Sequence, residues 1–207
     1  EMASAHRGEL VLAILGPQTN VAVALRREPR LVDWIKEVTV MGGSTDRGNV
    51  TPAAEFNIHC DPEAAWVVLN SGLRTRMVGF NVTRTTGFNE VDLGRLRGSG
   101  RQVATTMADL MGFYLARQQE RRRTEVAPVH DVCAIAPYVD ESLLTYVDAR
   151  MTVELTGTHT RGMTVCHFDE GLGLPESTKE WSSLRVAIDA SSRALIDDLI
   201  ETLVNYT

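Results

Sequence analysis

One short stretch of the sequence carries more hydroxyl-binding groups than its length requires. It reads Gly48-Asn49-Val50-Thr51-Pro52-Ala53-Ala54-Glu55-Phe56-Asn57. A side-chain amide both donates and accepts hydrogen bonds, while an ionised carboxylate only accepts. Asn49, Glu55 and Asn57 together therefore suit a polyhydroxylated ligand such as a sugar. The same residue types also serve to hold a long loop together, and the sequence leaves both readings open. A second candidate is Val129-His130-Asp131, ahead of an apolar run. Asp131 can cap a helix with His130 as a bystander. Alternatively, Asp131 is a hard-cation ligand and His130 an acid or a ligand contact. A third pair, Tyr114 and Gln118, lies one helical turn apart on one face. An aromatic ring with an amide beside it could flank a heterocyclic base, or could simply close a core edge.

These groups need a scaffold, and the apolar pattern supplies one. Residues 9–15 form a short apolar run closed by Gly16-Pro17, as a buried parallel strand does. A helix follows, capped at Thr19 or Asn20 and stopped by Pro29. Residues 38–41 and 76–80 read as two further strands. Between them Asp61-Pro62-Glu63 opens a helix, with Asp61 at the N-cap and Pro62 in the first turn. Asn89 with Asp92 marks another helix start. Helices are predicted over 103–121, 131–138 and 194–203, and strands over 151–155, 164–167 and 184–188. Strand and helix alternate, which predicts an α/β fold: an open, mostly parallel sheet with helices on both faces. In such sheets ligands sit beyond the carboxyl ends of the strands. Leu15-Gly16-Pro17, residues 42–57 and residues 78–83 all fall there.

Composition excludes several classes. The net charge of −6 gives no basic footprint for nucleic acid. No apolar run reaches membrane-spanning length. Cys60, Cys133 and Cys166 are widely spaced and form no zinc pattern. Reduced thiols of this kind predict a cytoplasmic protein.

The collinear set Leu15-Gly16-Pro17-Gln18-Thr19-Asn20, Val40-Met41-Gly42-Gly43, the Gly48 to Asn57 stretch, Asp61-Pro62-Glu63-Ala64-Ala65, Pro128-Val129-His130-Asp131 and Thr160-Arg161-Gly162-Met163-Thr164-Val165 resembles the inosine-uridine preferring nucleoside hydrolase family. The resemblance implies a Rossmann-like core and hydrolysis of the N-glycosidic bond of purine or pyrimidine ribonucleosides to base and ribose. It implies one calcium ion whose bound water attacks the anomeric carbon. Carried over by position, Asp131 and the main-chain carbonyl of Leu15 would ligate calcium. Asn49, Glu55 and Asn57 would bind ribose hydroxyls, with Met41 and Phe56 lining the pocket. His130 would sit near the base and help it leave, and Tyr114 and Gln118 would close over it. The implied assembly is a homo-oligomer, a dimer or tetramer, with the nucleoside as its small-molecule partner.

The family's DxDxxxDD motif, which supplies the remaining calcium carboxylates, occurs nowhere in the sequence, and neither Asp46 nor Asp61 substitutes for it. Residues 1–6 read as a helix tail. The expectation is therefore one incomplete domain over 1–207, equivalent to the family's C-terminal two-thirds with the N-terminal part missing. Such a chain would hold calcium weakly or not at all and would be inactive alone. The alternative is a truncated, non-catalytic relative that binds nucleoside or ribose. Family members often carry Asp at the position of Asn81.

Overall fold

A computed structural model describes residues 1–122, 124–168, 173 and 175–206. The chain divides into two compact units, one of Glu1–Asn81 with Thr145–Asp189, the other of Val82–Leu144 with the segment from Ala190.

The first unit begins with helix α1 (Met2–Ala5), strand β1 (Leu10–Ile14), helices α2 (Thr19–Arg27) and α3 (Leu31–Trp34), and strand β2 (Ile35–Met41). Then come α4 (Phe56–Cys60), α5 (Pro62–Leu69), β3 (Thr75–Val78) and α6 (Phe80–Thr83), the last running into the second unit. That unit contains β4 (Gly87–Phe88), α7 (Glu90–Gly98), α8 (Gln102–Arg122), β5 (Ala127–Pro128) and α9 (His130–Ile135). Strands β6 (Leu144–Val153), β7 (Thr164–Phe168) and β8 (Ser182–Ala190) return to the first unit, and α10 (Ser192–Asn205) ends in the second.

The main sheet has the order β1-β2-β3-β8-β6-β7. β1, β2, β3 and β8 pair in parallel, but β6 and β7 pair antiparallel. The sheet is thus mixed, which corrects the expectation of a mostly parallel one. The reason is local. Parallel strands need a long crossover, usually a helix. The segment from Glu154 to Met163 instead folds back on itself, with Glu154 N–H donating to the Met163 carbonyl at 2.9 Å and Gly162 N–H to the Glu154 carbonyl at 2.7 Å. The expectation that the N-terminal part of the fold is missing is also overturned, since α1 and β1 are present within residues 2–14.

Alternation along the strands separates the two faces of this sheet. Val38, Val40, Met77 and Val186 point into apolar clusters closed by Leu25, Ala64 and Val68 on one side and by Ile58, Ala65 and Leu69 on the other. The opposite face carries Glu37, Thr39, Arg76 and Arg185, since Thr39 pairs with Arg76 and Arg76 with Arg185. Asp61 caps α5 as its position predicts, accepting from Ala64 N–H at 3.0 Å. Neither Thr19 nor Asn20 caps α2; Gln18 takes that place without a side-chain bond, and Thr19 donates its hydroxyl proton to Asp61.

In the second unit α7 starts with the capping box read from Asn89 and Asp92. Leu93 and Leu96 of α7 and Ala104, Ala108 and Leu115 of α8 are fully buried. The predicted helix over 131–138 is instead α9 followed by a 3-10 turn at Ala136–Tyr138. Pro137, inside that span, lacks the N–H that would continue the α-helical ladder.

Candidate functional site

β2 runs parallel to its neighbours and ends at Met41, so the loop after it emerges from the carboxyl ends of the strands. Gly48, Asn49, Val50 and Thr51 fold this loop around residues 52–54. Gly48 N–H donates to the Pro52 carbonyl at 3.0 Å and Asn49 N–H to the Ala54 carbonyl at 3.1 Å. A Cβ on Gly48 would lie 2.2 Å from the Ala54 carbonyl oxygen, so the turn closes only on glycine.

The loop delivers Glu55 to the head of α4. One carboxylate oxygen, Oε2, accepts from Gly43 N–H at 3.0 Å, Asn57 N–H at 2.9 Å and Ile58 N–H at 3.3 Å. Glu55 is thus the N-cap of α4, a role its sequence context did not suggest, because Glu is an uncommon cap. It is buried, and desolvation holds its carboxyl above the usual carboxylate range, partly offset by the N–H donors. Gly43, whose φ is +72°, brings its N–H to this carboxylate; a Cβ there would come within 2.7 Å of Thr164 Cγ2.

Asn57 donates Nδ2–H to the Met41 carbonyl at 2.8 Å and to Met41 Sδ at 3.3 Å. Asn49 Oδ1 accepts from Phe56 N–H at 2.8 Å. Met41 is buried, whereas Phe56 exposes its ring. The structure therefore brings Met41, Asn49, Glu55, Phe56 and Asn57 into one cluster; it binds Asn49 and Glu55 to backbone N–H groups of the loop and of α4, and Asn57 to the carbonyl at the end of β2. Glu55 Oε1 and Asn57 Oδ1 take part in none of these bonds.

The second unit holds the remaining candidates. Gln118 Nε2–H donates to the Tyr114 hydroxyl at 2.6 Å on the half-exposed side of α8. His130 is the first residue of α9, and its Nδ1 lies 2.7 Å from the buried Thr83 hydroxyl. Thr83 escaped notice in the sequence; only a search for hydroxyls able to fix a histidine tautomer could have raised it. Asp131 is not the N-cap of α9, a place taken by Val129. It lies in the first turn, open to solvent, and partial desolvation raises its carboxyl pKa.

These residues do not fit a calcium ion. A calcium site takes six to eight oxygen ligands, several of them charged. Among the described residues no group of three or more His, Cys, Asp or Glu could hold a metal. Asp46 accepts from the Ser44 hydroxyl and Arg47 N–H, and Asp61 caps α5, so both serve local structure.

The model of the inosine-uridine preferring nucleoside hydrolase family matches residues 1–197. The chain belongs to that family. The match begins at the first residue, which overturns the expectation of a likeness confined to a C-terminal two-thirds with the N-terminal part missing. The chain is 39% identical over 199 residues to the pyrimidine-specific ribonucleoside hydrolase RihA of Enterobacter sp. (strain 638), covering 96% of this chain and 62% of that one. It is 38% identical over 199 residues to the RihA of Salmonella arizonae, with 95% and 62% covered. It therefore spans about 60% of the length of the curated relatives it matches. Among solved structures, the plant nucleoside hydrolase PpNRh1 superposes with a TM-score of 0.89 at 26% identity, over 100% of this chain and 65% of that one. A purine-preferring ribonucleoside hydrolase from Gardnerella vaginalis gives 0.85 at 28% identity, over 98% and 62%. Among the described residues no helix is long and apolar enough to cross a membrane.

Proposed function

We propose that this chain takes part in hydrolysis of the N-glycosidic bond of ribonucleosides, releasing free base and ribose. The observation that carries this reading is the cluster at the carboxyl end of β2. Glu55 is fixed by three backbone N–H groups on one oxygen, and its other oxygen, like Asn57 Oδ1, stays outside the bonds that hold the loop. Two fixed acceptors suit the adjacent hydroxyls of a ribose ring. A carboxylate close to the sugar also favours the positive charge that develops there as the bond to the base breaks. Fixing these acceptors beforehand lowers the cost of reorganisation in the transition state.

His130 is assigned to the base side. The departing base leaves more readily when protonated. With Nδ1 engaged by the Thr83 hydroxyl, Nε2 is the nitrogen that would meet the base. To give a proton to the base His130 must be the imidazolium, with Nδ1–H donating to the Thr83 hydroxyl oxygen and Nε2–H passing to the base, which leaves neutral histidine behind. Tyr114 and Gln118 are assigned to the face of the base. The family's calcium would supply an activated water, but the described residues do not make its site.

The test is direct. The purified chain is incubated with uridine and, separately, inosine, and free base and reducing sugar are measured. Release above the uncatalysed rate, lowered at least 10-fold by Glu55→Gln with the fold intact, is the expected result. No release, together with no uridine binding by calorimetry, would overturn the reading. A second reading, a nucleoside- or ribose-binding protein without turnover, is favoured by the absence of a carboxylate cluster among the described residues. Binding that depends on Glu55, without base release, would decide for it. A homo-oligomeric assembly and a cytoplasmic location remain part of the proposal, tested by light scattering and by fractionation.

A further inference from the structure

The run Thr160-Arg161-Gly162-Met163-Thr164-Val165 supplies no group to the sugar cluster, yet three of its residues bear on the loop and helices that carry it. Backbone bonds between Glu154, Gly162 and Met163 close the turn between β6 and β7, and Thr164 opens β7 opposite Val153. Arg161 ties this turn to α5 through Glu63 at 2.8 Å. Gly162, at φ +81°, lies so close to the sugar loop that a Cβ would meet Ala54 Cβ and His59 Cα at 3.3 Å each. Thr164 makes the most specific contact. Its hydroxyl accepts from Ser44 N–H at 2.8 Å and donates to the Ser44 carbonyl at 2.7 Å.

Ser44 and Thr164 are both buried. Buried peptide groups need partners, and one hydroxyl serves both because it donates and accepts at once. Valine has nearly the same shape and could do neither; serine could do both. Ser44 N–H and the Gly43 carbonyl belong to one rigid peptide plane. That plane is gripped at both ends, since the Gly43 carbonyl accepts from Phe80 N–H at 2.7 Å. The Thr164 side chain also lies directly against the Gly43 backbone, where a Cβ would meet its Cγ2 at 2.7 Å. Gly43, at φ +72°, is thereby fixed with its own N–H on Glu55 Oε2 at 3.0 Å.

We infer that Thr164 is a positioning residue for the ribose site, holding the Gly43–Ser44 peptide so that Gly43 N–H stays on Glu55. The inference rests on the proposed role of Glu55 toward the ribose hydroxyls. Thr164 acts through Gly43 and Glu55, not on the sugar. A contact of packing value alone would change global stability and leave the Glu55 carboxyl as it is.

The experiment compares Thr164→Val with Thr164→Ser in the whole chain. The Glu55 carboxyl is titrated and the exchange of Gly43 N–H measured by NMR, and KM and kcat are measured for uridine; Kd from calorimetry stands in for KM if the chain binds without turnover. In Thr164→Val the Glu55 pKa should rise, because a donor to the carboxylate is weakened. Gly43 N–H should exchange about 10-fold faster. KM for uridine should rise about 5-fold, the equivalent of one weakened hydrogen bond. Thr164→Ser should restore all three. Thr156→Val, which removes an exposed hydroxyl of the same turn, should match the wild type throughout. Should Thr164→Val fail to fold by circular dichroism, Thr164→Ala takes its place with the same expectations. Wild-type Glu55 titration and Gly43 exchange in the folded variant overturn the inference, as does an unchanged KM while both shift, or a Thr164→Ser that behaves as Thr164→Val. If the wild type neither binds nor turns over uridine, it is the proposed hydrolysis that fails, and the NMR readouts still decide whether Thr164 holds Gly43 on Glu55.

Discussion

At the scale of single residues, the polar groups of the sugar cluster have two tasks, and only one of them was legible in the sequence. The types and spacing of Asn49, Glu55 and Asn57 pointed to hydroxyl binding. That the same atoms hold the loop follows from backbone N–H groups converging in space, which spacing does not encode. Glu55 shows why this matters for experiment. Glu55→Ala removes the cap of α4 and leaves three N–H groups without their acceptor. A loss of about 1–3 kcal/mol is expected in urea unfolding. Glu55→Gln keeps an acceptor and cannot ionise. Because burial raises the folded-state pKa of Glu55, its contribution to stability is present at low pH and fades as pH rises through that raised value. The stability of the wild type relative to Glu55→Gln should thus fall as pH rises above the ordinary glutamate value of about 4.3. A flat difference above that value would contradict the assigned burial. Asn57→Ala is a poorer probe of ligand binding, since it also breaks the bond to the Met41 carbonyl.

Asn81 gives a second residue-scale prediction. Its Oδ1 accepts from Thr45 N–H at 3.3 Å and its Nδ2–H donates to the Ala187 carbonyl at 3.0 Å. An ionised aspartate can do the first but not the second; it would set a charged oxygen against the carbonyl. Asn81→Asp should cost about 1–3 kcal/mol at neutral pH and recover part of that in acid, where the carboxyl can donate. Equal stability of the two forms at pH 7 in denaturant titrations would show that β8 tolerates the repulsion. His130 adds a third. Thr83→Val removes the hydroxyl that Nδ1 meets. In the turnover assay kcat should fall about 10-fold, a part of the roughly 10²–10⁴-fold that a general acid contributes, and its pH profile should shift. Loss of stability alone, with kcat unchanged, would assign the contact to packing.

At the scale of elements, local chemistry was readable wherever one residue dictates one geometry. Asp61-Pro62 gave the start of α5, and Asn89 with Asp92 gave that of α7. The same logic failed for Thr19 and Asn20, because Asp61, distant in sequence, takes the Thr19 hydroxyl. It failed again for the direction of β7, which depends on how the segment from Glu154 to Met163 closes. The loop before α4 is the element on which the site depends, and Gly48 is its pivot. Gly48→Ala would drive a Cβ into the Ala54 carbonyl, with no flexible side chain to yield. A cost of about 2–4 kcal/mol, comparable to severe overpacking, is expected, and Glu55 should lose its register with Gly43. Gly100→Ala meets no neighbouring atom and is strained only by its φ of +67°, so it should cost about 1–2 kcal/mol. Thermal unfolding of the two variants compares closure of the loop with simple backbone strain.

At the scale of the whole molecule, the family resemblance assigns Leu15 and Asp131 to one metal. No cluster of three metal-ligating side chains exists among the described residues. Desolvation raises the Asp131 carboxyl pKa, which disfavours the ionised form a cation needs. Calcium affinity follows the number of charged ligands and their rigidity, and even built extracellular sites with several carboxylates fall to about millimolar. One carboxylate with one carbonyl should bind more weakly still. A ligand present at its own dissociation constant stabilises by about 0.4 kcal/mol, which for a chain of this size is about 1–2 °C in Tm. At about 1 mM calcium the rise should therefore stay below about 1 °C, and a chelator should leave Tm unchanged. A saturable rise of several degrees, abolished by Asp131→Asn, would show that Asp131 and further oxygens do assemble a site. In that case calcium-dependent release of base from uridine becomes the measurement that places the ion in the reaction.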